Sequence, residues 1–243
     1  VPGPAPEAVL LNTAGGVTGG DDFDIAATVS DTSLTVTSQT AERIYRSARG
    51  AGRIRNRLTL GPASRLDWLP HETILFDGGR LDRRLDVDMA DDATLWAVES
   101  LVLGRAAMGE TVRAGFVSDQ WRITRGGKRI YADGLRMGHR DPDSTSAAGI
   151  DRLVARTAIL DGAQAMAFIV HVSRHAEELL PKARHLIAEW MARYPGDVRM
   201  AASAWNGILT LRLVTDTNRA LKAALAFLLT ELRASPLPRV WSL

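Results

Sequence analysis

Three stretches decide how this chain folds: Val29-Ser-Asp-Thr-Ser-Leu34-Thr-Val36, Leu60-Gly-Pro-Ala-Ser-Arg-Leu66-Asp-Trp68 and Met89-Ala-Asp-Asp-Ala-Thr-Leu95-Trp96. In each, an apolar strand ends, a short polar turn follows, and a second strand opens on leucine. The leucines lie 32 and 29 residues apart. A period of this length marks stacked units that each need a neighbour to cover an apolar face. The expected architecture is a β-helix-like stack of short strands. A β-sandwich whose hairpins resemble one another is the alternative.

Outward from these stretches, the N-terminal part reads as strands at Ile25–Val29, Leu34–Thr37, Ile54–Leu60, Leu66–Leu69, Leu81–Met89 and Leu95–Val102. Each alternates or carries β-branched and aromatic residues, with Asp, Ser, Gly and Pro turns between. The last third changes period. Ala165–Val172 is a continuous apolar run that predicts a buried strand. From Glu177, the spacing of Leu179, Ala183, Leu186 and Trp190 predicts an amphipathic helix, with Pro181 confined to its first turn. Val198–Trp205 and Ile208–Val214 predict a hairpin across Asn206-Gly207. Asp216 or Thr217 can cap a final helix with Leu221, Leu225, Leu228 and Leu232 on its apolar face. The fold class is therefore mainly β with a smaller α/β part. Residues 1–140 form the stacked-strand region, and residues 149–243 form a strand–helix–strand–strand–helix unit packed on it as one integrated domain. The polar stretch 141–148 is expected to be a mobile loop or junction.

Composition narrows the function classes. Apolar residues make up 46% and charged residues 24% of 243, an ordinary globular balance with enough chain to bury a core. No run approaches the ~18 apolar residues that span a bilayer, so no membrane partner is expected. The first residues, Val1 to Pro6, are Pro/Gly-rich and uncharged, unlike a signal or transit peptide. The chain contains no cysteine, which removes disulfides, thiolate metal sites and cysteine nucleophiles and fits a reducing cytoplasm. Thirty basic residues balance 28 acidic ones. The cluster Arg43, Arg46, Arg49, Arg53, Arg55 and Arg57 then reads as a solvated or partner-facing surface, with no nucleic acid expected.

The chemistry-bearing motifs are few. Gly15-Gly-Val-Thr-Gly-Gly20 is followed by Asp21 and Asp22, which would repel phosphate, so it reads as a tight turn. His171 and His175 are four apart but fall on a predicted strand and its end. His71, His139 and His185 are scattered, and no histidine metal site is expected. No nucleophile elbow or His-Glu-x-x-His run is present. Carboxylates are different. Glu72, Asp77, Glu99 and Glu110 lie in or beside apolar segments, where an ionised group needs a partner. They read as salt-bridge partners of Arg80, Arg83, Arg84 and Arg105, or as an acid–base pair of a β-helical carbohydrate-active enzyme. Against the enzyme, only 6% of the chain is aromatic.

Four segments together resemble the urease accessory protein D family (UreD, also called UreH). They are Leu10-Leu-Asn-Thr-Ala-Gly-Gly-Val-Thr-Gly-Gly-Asp21, Trp68-Leu-Pro-His-Glu-Thr-Ile-Leu-Phe-Asp-Gly78, Glu99-Ser-Leu-Val-Leu-Gly-Arg-Ala-Ala-Met-Gly-Glu110 and the terminal Leu237-Pro-Arg-Val-Trp241. Tyr45-Arg46-Ser47 adds a smaller match. Each is weak alone, but their order and spacing run across almost the whole chain. Two departures stand out. Family members carry a strand or two before the segment that begins near Glu7, and Gln39-Thr-Ala-Glu-Arg-Ile44 fits only loosely.

The resemblance implies a largely β, partly helical-stack fold with a small α/β portion, and a scaffold rather than a catalyst. It implies binding to apo-urease and to accessory protein F, which carries the GTPase accessory protein G. It also implies passage of nickel to the urease active site, with no tightly bound cofactor. A cation in transit needs weak oxygen ligands, because a thiolate or histidine cage would trap it. On that expectation Glu72, Asp77, Glu99 and Glu110 are the candidate transient nickel relay, with Asp21 and Asp22 behind them. Arg239, Trp241, Tyr45 and Arg46 are the candidate partner contacts, since an exposed Trp/Arg pair is a common interface anchor. Trp241 covering the chain's own core is the other reading. A generic protein-interaction module remains the third functional alternative.

Overall fold

A computed structural model describes residues 5–105, 108–138 and 149–242; the stretch 141–148, expected as a loop, lies outside them. Fourteen strands are described: β1 (Glu7–Leu10), β2 (Asp22–Val29), β3 (Ser33–Ser38), β4 (Glu42–Ile44), β5 (Gly52–Leu60), β6 (Arg65–Leu69), β7 (Thr73–Leu75), β8 (Arg80–Met89), β9 (Thr94–Leu103), β10 (Phe116–Arg125), β11 (Lys128–Gly138), β12 (Ala165–Val172), β13 (Arg199–Trp205) and β14 (Ile208–Thr215). The helices are α1 (Ile150–Val154), α2 (Leu180–Arg193) and α3 (Asn218–Arg233). All six strands read from the N-terminal repeat are present. The short β1, β4 and β7 and the hairpin β10–β11, closed by Gly126-Gly127, are additional.

The strands form two facing sheets, and the chain alternates between them. One runs β11-β10-β8-β5-β2; the other runs β1-β3-β6-β9-β12-β14-β13, with β4 and β7 continuing alongside β9. Within each sheet the successive coils pair in parallel, β2 with β5 with β8 and β3 with β6 with β9. Parallel neighbours require a crossover, here the strand of the opposite sheet, and this decides for the stack over an antiparallel sandwich. The register repeats the sequence. Leu34 pairs with Leu66 and Leu66 with Leu95, while Val29 pairs with Leu60 and Leu60 with Met89. The polar turns between them are the corners of the coils.

The apolar ends of these coils build the core between the sheets, where Leu58, Leu60, Leu66, Trp68, Leu85, Leu95 and Ile123 are closed to solvent. β9 is apolar on both faces for a physical reason. Leu95, Ala97, Leu101 and Leu103 point between the sheets, and Trp96, Val98 and Val102 point outward under the helices. On that outer face Ala183, Leu186 and Trp190 of α2 and Leu221, Leu225 and Leu228 of α3 pack on β9, β12 and β14. α2 begins at Leu180 rather than Glu177, preceded by a single 3-10 turn at Ala176–Leu179, because Pro181 fits only an N-terminal position. Thr217 caps α3 by accepting a hydrogen bond from the Ala220 amide, 3.2 Å. The hairpin β13–β14 turns at Asn206-Gly207, both with positive φ.

Candidate functional site

Alternation along β8, β9 and β10 places Arg83, Glu99 and Asp119 among inward positions otherwise held by Leu81, Leu85, Ala97, Leu101, Val117 and Trp121. All three charged side chains are buried: Arg83 is 5%, Glu99 2% and Asp119 5% exposed. Arg83 and Asp119 are direct register partners on adjacent parallel strands. The Arg83 guanidinium lies between the two acids. Its Nη1 is 2.5 Å from Glu99 Oε2, and its Nη2 donates to Asp119 Oδ2 at 2.6 Å. Nη1 also donates to Thr73 Oγ1 at 2.9 Å, and Trp68 Nε1 donates to Glu99 Oε1 at 3.2 Å.

Two carboxylates share one guanidinium here, in surroundings too dry to solvate the surplus charge. Burial pushes the Glu99 carboxyl up to about 7; Arg83 opposes this and Asp119 adds to it. Burial works against the charge on Arg83, but Asp119 and Glu99 outweigh it, so the guanidinium stays protonated.

A cavity of about 250 Å³ reaches this layer from the β1–β4 end of the stack. Leu10, Phe23, Ile25, Ile54 and Trp68 form apolar walls; Glu42, His71 and Asn56 interrupt them, and Arg83 and Glu99 also line the space. Burial raises the pKa of Glu42, against the hydrogen bond that Asn12 Nδ2 donates to it at 3.0 Å. Burial lowers the pKa of His71, and Lys222 adds to the effect. On the other side of the layer Asp119 borders a second, smaller space lined by Trp121, Tyr131 and Asp133. Burial would raise the Asp133 carboxyl, but hydrogen bonds from Arg212 and Tyr131 hold it below the usual range. Among the described residues no three His, Asp or Glu side chains converge as a metal cage.

The four acids singled out in the sequence occupy three different places. Glu99 faces the cavity. Glu72 is buried but turned toward α3, accepting from Asn218 Nδ2 at 2.7 Å with Lys222 Nζ at 3.6 Å. Asp77 and Glu110 share a corner. Asp77 accepts from the Arg113 and Ala114 amides and pairs with Arg46 at 2.9 Å, while Glu110 pairs with Arg105 at 2.8 Å and accepts from the Asp77 amide. Those hydrogen bonds outweigh burial and hold Glu110 below the ordinary carboxylate range. Asp21 closes its own turn on the Thr18 amide, and Asp22 pairs with Arg53 at the surface. Arg83 appeared in the sequence only as a salt-bridge partner, and Asp119 and Glu42 were missed. Asp119 carried a signal, since it breaks the apolar alternation of Val117, Trp121 and Ile123.

The glycine-rich segment is a backbone turn and not a phosphate loop. Gly16 lies against the Tyr45 ring and Gly19 against Ser47, where a Cβ at either would collide. This contact joins two of the segments that carry the family resemblance. Val17 N donates to Arg43 O and Tyr45 N to Val17 O. Ser47 N reaches Gly78 O, linking in turn to the Asp77–Glu110 corner. Tyr45 and Arg46 are exposed on this corner, Arg46 with 74% of its side chain accessible. Trp241 is half-buried, donating from Nε1 to Leu69 O at 3.1 Å and stacking on His71 at 5.4 Å; Arg239 beside it is exposed. All these segments thus meet around one end of the stack and the cavity beneath it. His171 is a satisfied core histidine, stacked on Trp96 and bonded to Leu95 O at 2.9 Å. No helix among the described residues is long and apolar enough to cross a membrane.

Comparison with known proteins agrees along the whole chain. A family model described as UreD urease accessory protein matches residues 1–242. The urease accessory protein UreD of Methylobacterium sp. (strain 4-46) is 47% identical over 242 residues, covering 99% of this chain and 82% of that protein. Its counterpart from Jannaschia sp. (strain CCS1) is 44% identical over 241 residues, covering 99% and 84%. Urease accessory protein UreD 2 of Methylorubrum populi is 43% identical over 236 residues, covering 97% and 75%.

Proposed function

The chain belongs to the UreD urease accessory protein family, whose place is in urease maturation, and we propose that within it this protein is a non-catalytic scaffold that guides nickel toward apo-urease. The observation that carries the reading is the cavity inside the stack that meets the buried Glu99 and the half-buried Glu42. Its walls are apolar, it contacts Glu99 and Glu42, and Asp119 opens on a second space beyond. Nickel is cargo in this scheme. Oxygen ligands that are few, buried and already partnered hold a divalent cation briefly, whereas a full cage would retain it. Glu99 and Asp119 are the footholds in the interior. Glu42 and His71 meet the ion in the cavity. Glu72, Asp77 and Glu110 act at one remove by fixing the walls through α3 and the corner loops.

The partners in this reading are apo-urease and accessory protein F, with the GTPase accessory protein G joining through F, all in the cytoplasm. Trp241 stacks on His71 and the Tyr45 hydroxyl donates to Gly15 O, both lining residues of the cavity, and a partner docked on these residues and the exposed Arg46 and Arg239 would sit beside the cavity. The test is co-purification with apo-urease and accessory protein F, followed by counting nickel on the urease with and without this chain. The proposal expects the complex to form and nickel loading to depend on the chain. Equal loading without it would remove the function.

A further inference from the structure

The two spaces inside the stack do not simply run into each other: the Arg83 guanidinium stands between the acid facing one and the acid facing the other. Arg83 and Glu99 line the larger cavity, and Asp119 lines the smaller one. A positive side chain in the middle of a cation path is a contradiction unless it moves or is exchanged. We propose that Arg83 is a place-holding gate, its guanidinium occupying between Glu99 and Asp119 the position a divalent cation takes in transit, and turning toward Glu42 when the cation arrives. This deepens the reading of the protein as a nickel conduit and rests on it.

Three features support the exchange. First, among the described residues the guanidinium is held through its two Nη atoms alone, to Glu99, Asp119 and Thr73, while its Nε and Asp119 Oδ1 are buried and find no hydrogen-bond partner there. Buried polar atoms are usually paired, so these two orphaned atoms mark a layer whose hydrogen bonding is incomplete. Second, there is somewhere to go. The cavity of about 250 Å³ adjoins the side chain, and Glu42 faces the same space close enough to act electrostatically on Arg83. Third, the charges fit. With both acids ionised, the guanidinium compensates one of two negative charges, and a doubly charged ion compensates both. A monovalent ion brings no more charge than the guanidinium and lacks its array of donors, so it gains nothing by displacing it. The gate therefore selects by charge: it yields to a dication and stays closed to sodium or potassium.

The test uses the full chain and its accessory complex, with Arg83→Gln and Arg83→Lys beside the wild type. Binding of Ni²⁺ to the purified chain is measured by equilibrium dialysis, and nickel on urease is counted after activation. Removing the resident positive charge should raise Ni²⁺ affinity about tenfold or more, since an adjacent opposite charge commonly alters carboxylate equilibria by that much. Delivery should fall, because nothing returns to expel the ion. Arg83→Lys keeps the charge but not the fork; it reaches one acid at a time and should give intermediate values, which decide the matter where Arg83→Gln does not fold. A folded variant that matches the wild type in both Ni²⁺ affinity and urease loading overturns the gate. If instead the wild-type chain itself makes no difference to urease nickel, the conduit reading falls, and the gate with it.

Discussion

Replacing Glu99 with glutamine isolates the electrostatic cost of the buried layer. In the folded chain burial pushes Glu99 up to about 7 from an ordinary value of 4.5. The folded state therefore holds the proton more tightly than the unfolded state. The sign follows: the contribution of this group to stability is fully present below its unfolded pKa and is lost as pH rises through about 7. Glutamine has no proton to lose, keeps an acceptor for Trp68 Nε1, and leaves Arg83 paired with Asp119. Between about pH 5 and about pH 8, Glu99→Gln should gain on the wild type by about 2 kcal/mol, whatever the constant offset between the two chains. Urea denaturation of both proteins at several pH values measures this, and contributions common to both cancel in the difference. A difference that does not change with pH, or one that favours the wild type as pH rises, refutes the placement of Glu99 in a dry interior.

Other consequences follow from the same geometry. Leu66 is fully buried between Leu34 and Leu95, so Leu66→Ala should destabilise the chain by about 3–5 kcal/mol in denaturant titrations. Burial lowers His171 to about 4, so the unfolded chain takes up this proton first; its contribution falls as pH drops from about 6.5 toward 4, and His171→Gln should flatten that part of the acid-denaturation curve. Thr217→Ala removes the cap of α3 and should cost about 1 kcal/mol in thermal or chemical unfolding. Trp241→Ala removes a donor to Leu69 O and the ring over His71; hydrogen exchange should show faster opening at the β3–β6 end while the α2–α3 layer stays protected.

The stack was readable because a coil's register is written in its apolar positions. Leu34, Leu66 and Leu95 recur in sequence since each must lie on the next in space. The terminal hairpin and helices carried equally local signals in Asn206-Gly207, Thr217 and the α3 leucines. The hairpin β10–β11 was harder, since its turn is Gly126-Gly127 and β11 carries exposed polar residues over much of its length. The interior site was only half visible. Glu72 and Glu99 look alike in sequence, each a carboxylate beside apolar residues, yet one turns to α3 and the other between the sheets. Which face of a strand an acid occupies depends on where the neighbouring coil lies, information that alternation within one strand supplies only after the partner is known. Asp119 shows the remedy, because it breaks an alternating apolar row and its register partner Arg83 breaks another.

The most direct test of the account is the nickel content of urease activated with a chain in which Glu99→Gln and Asp119→Asn are combined. The two neutral amides keep the size of the side chains but remove both footholds in the interior. Assembly with apo-urease and the other accessory proteins should persist, and nickel per urease active site should fall about tenfold or more. Full nickel occupancy with the doubly substituted chain would contradict passage through the stack.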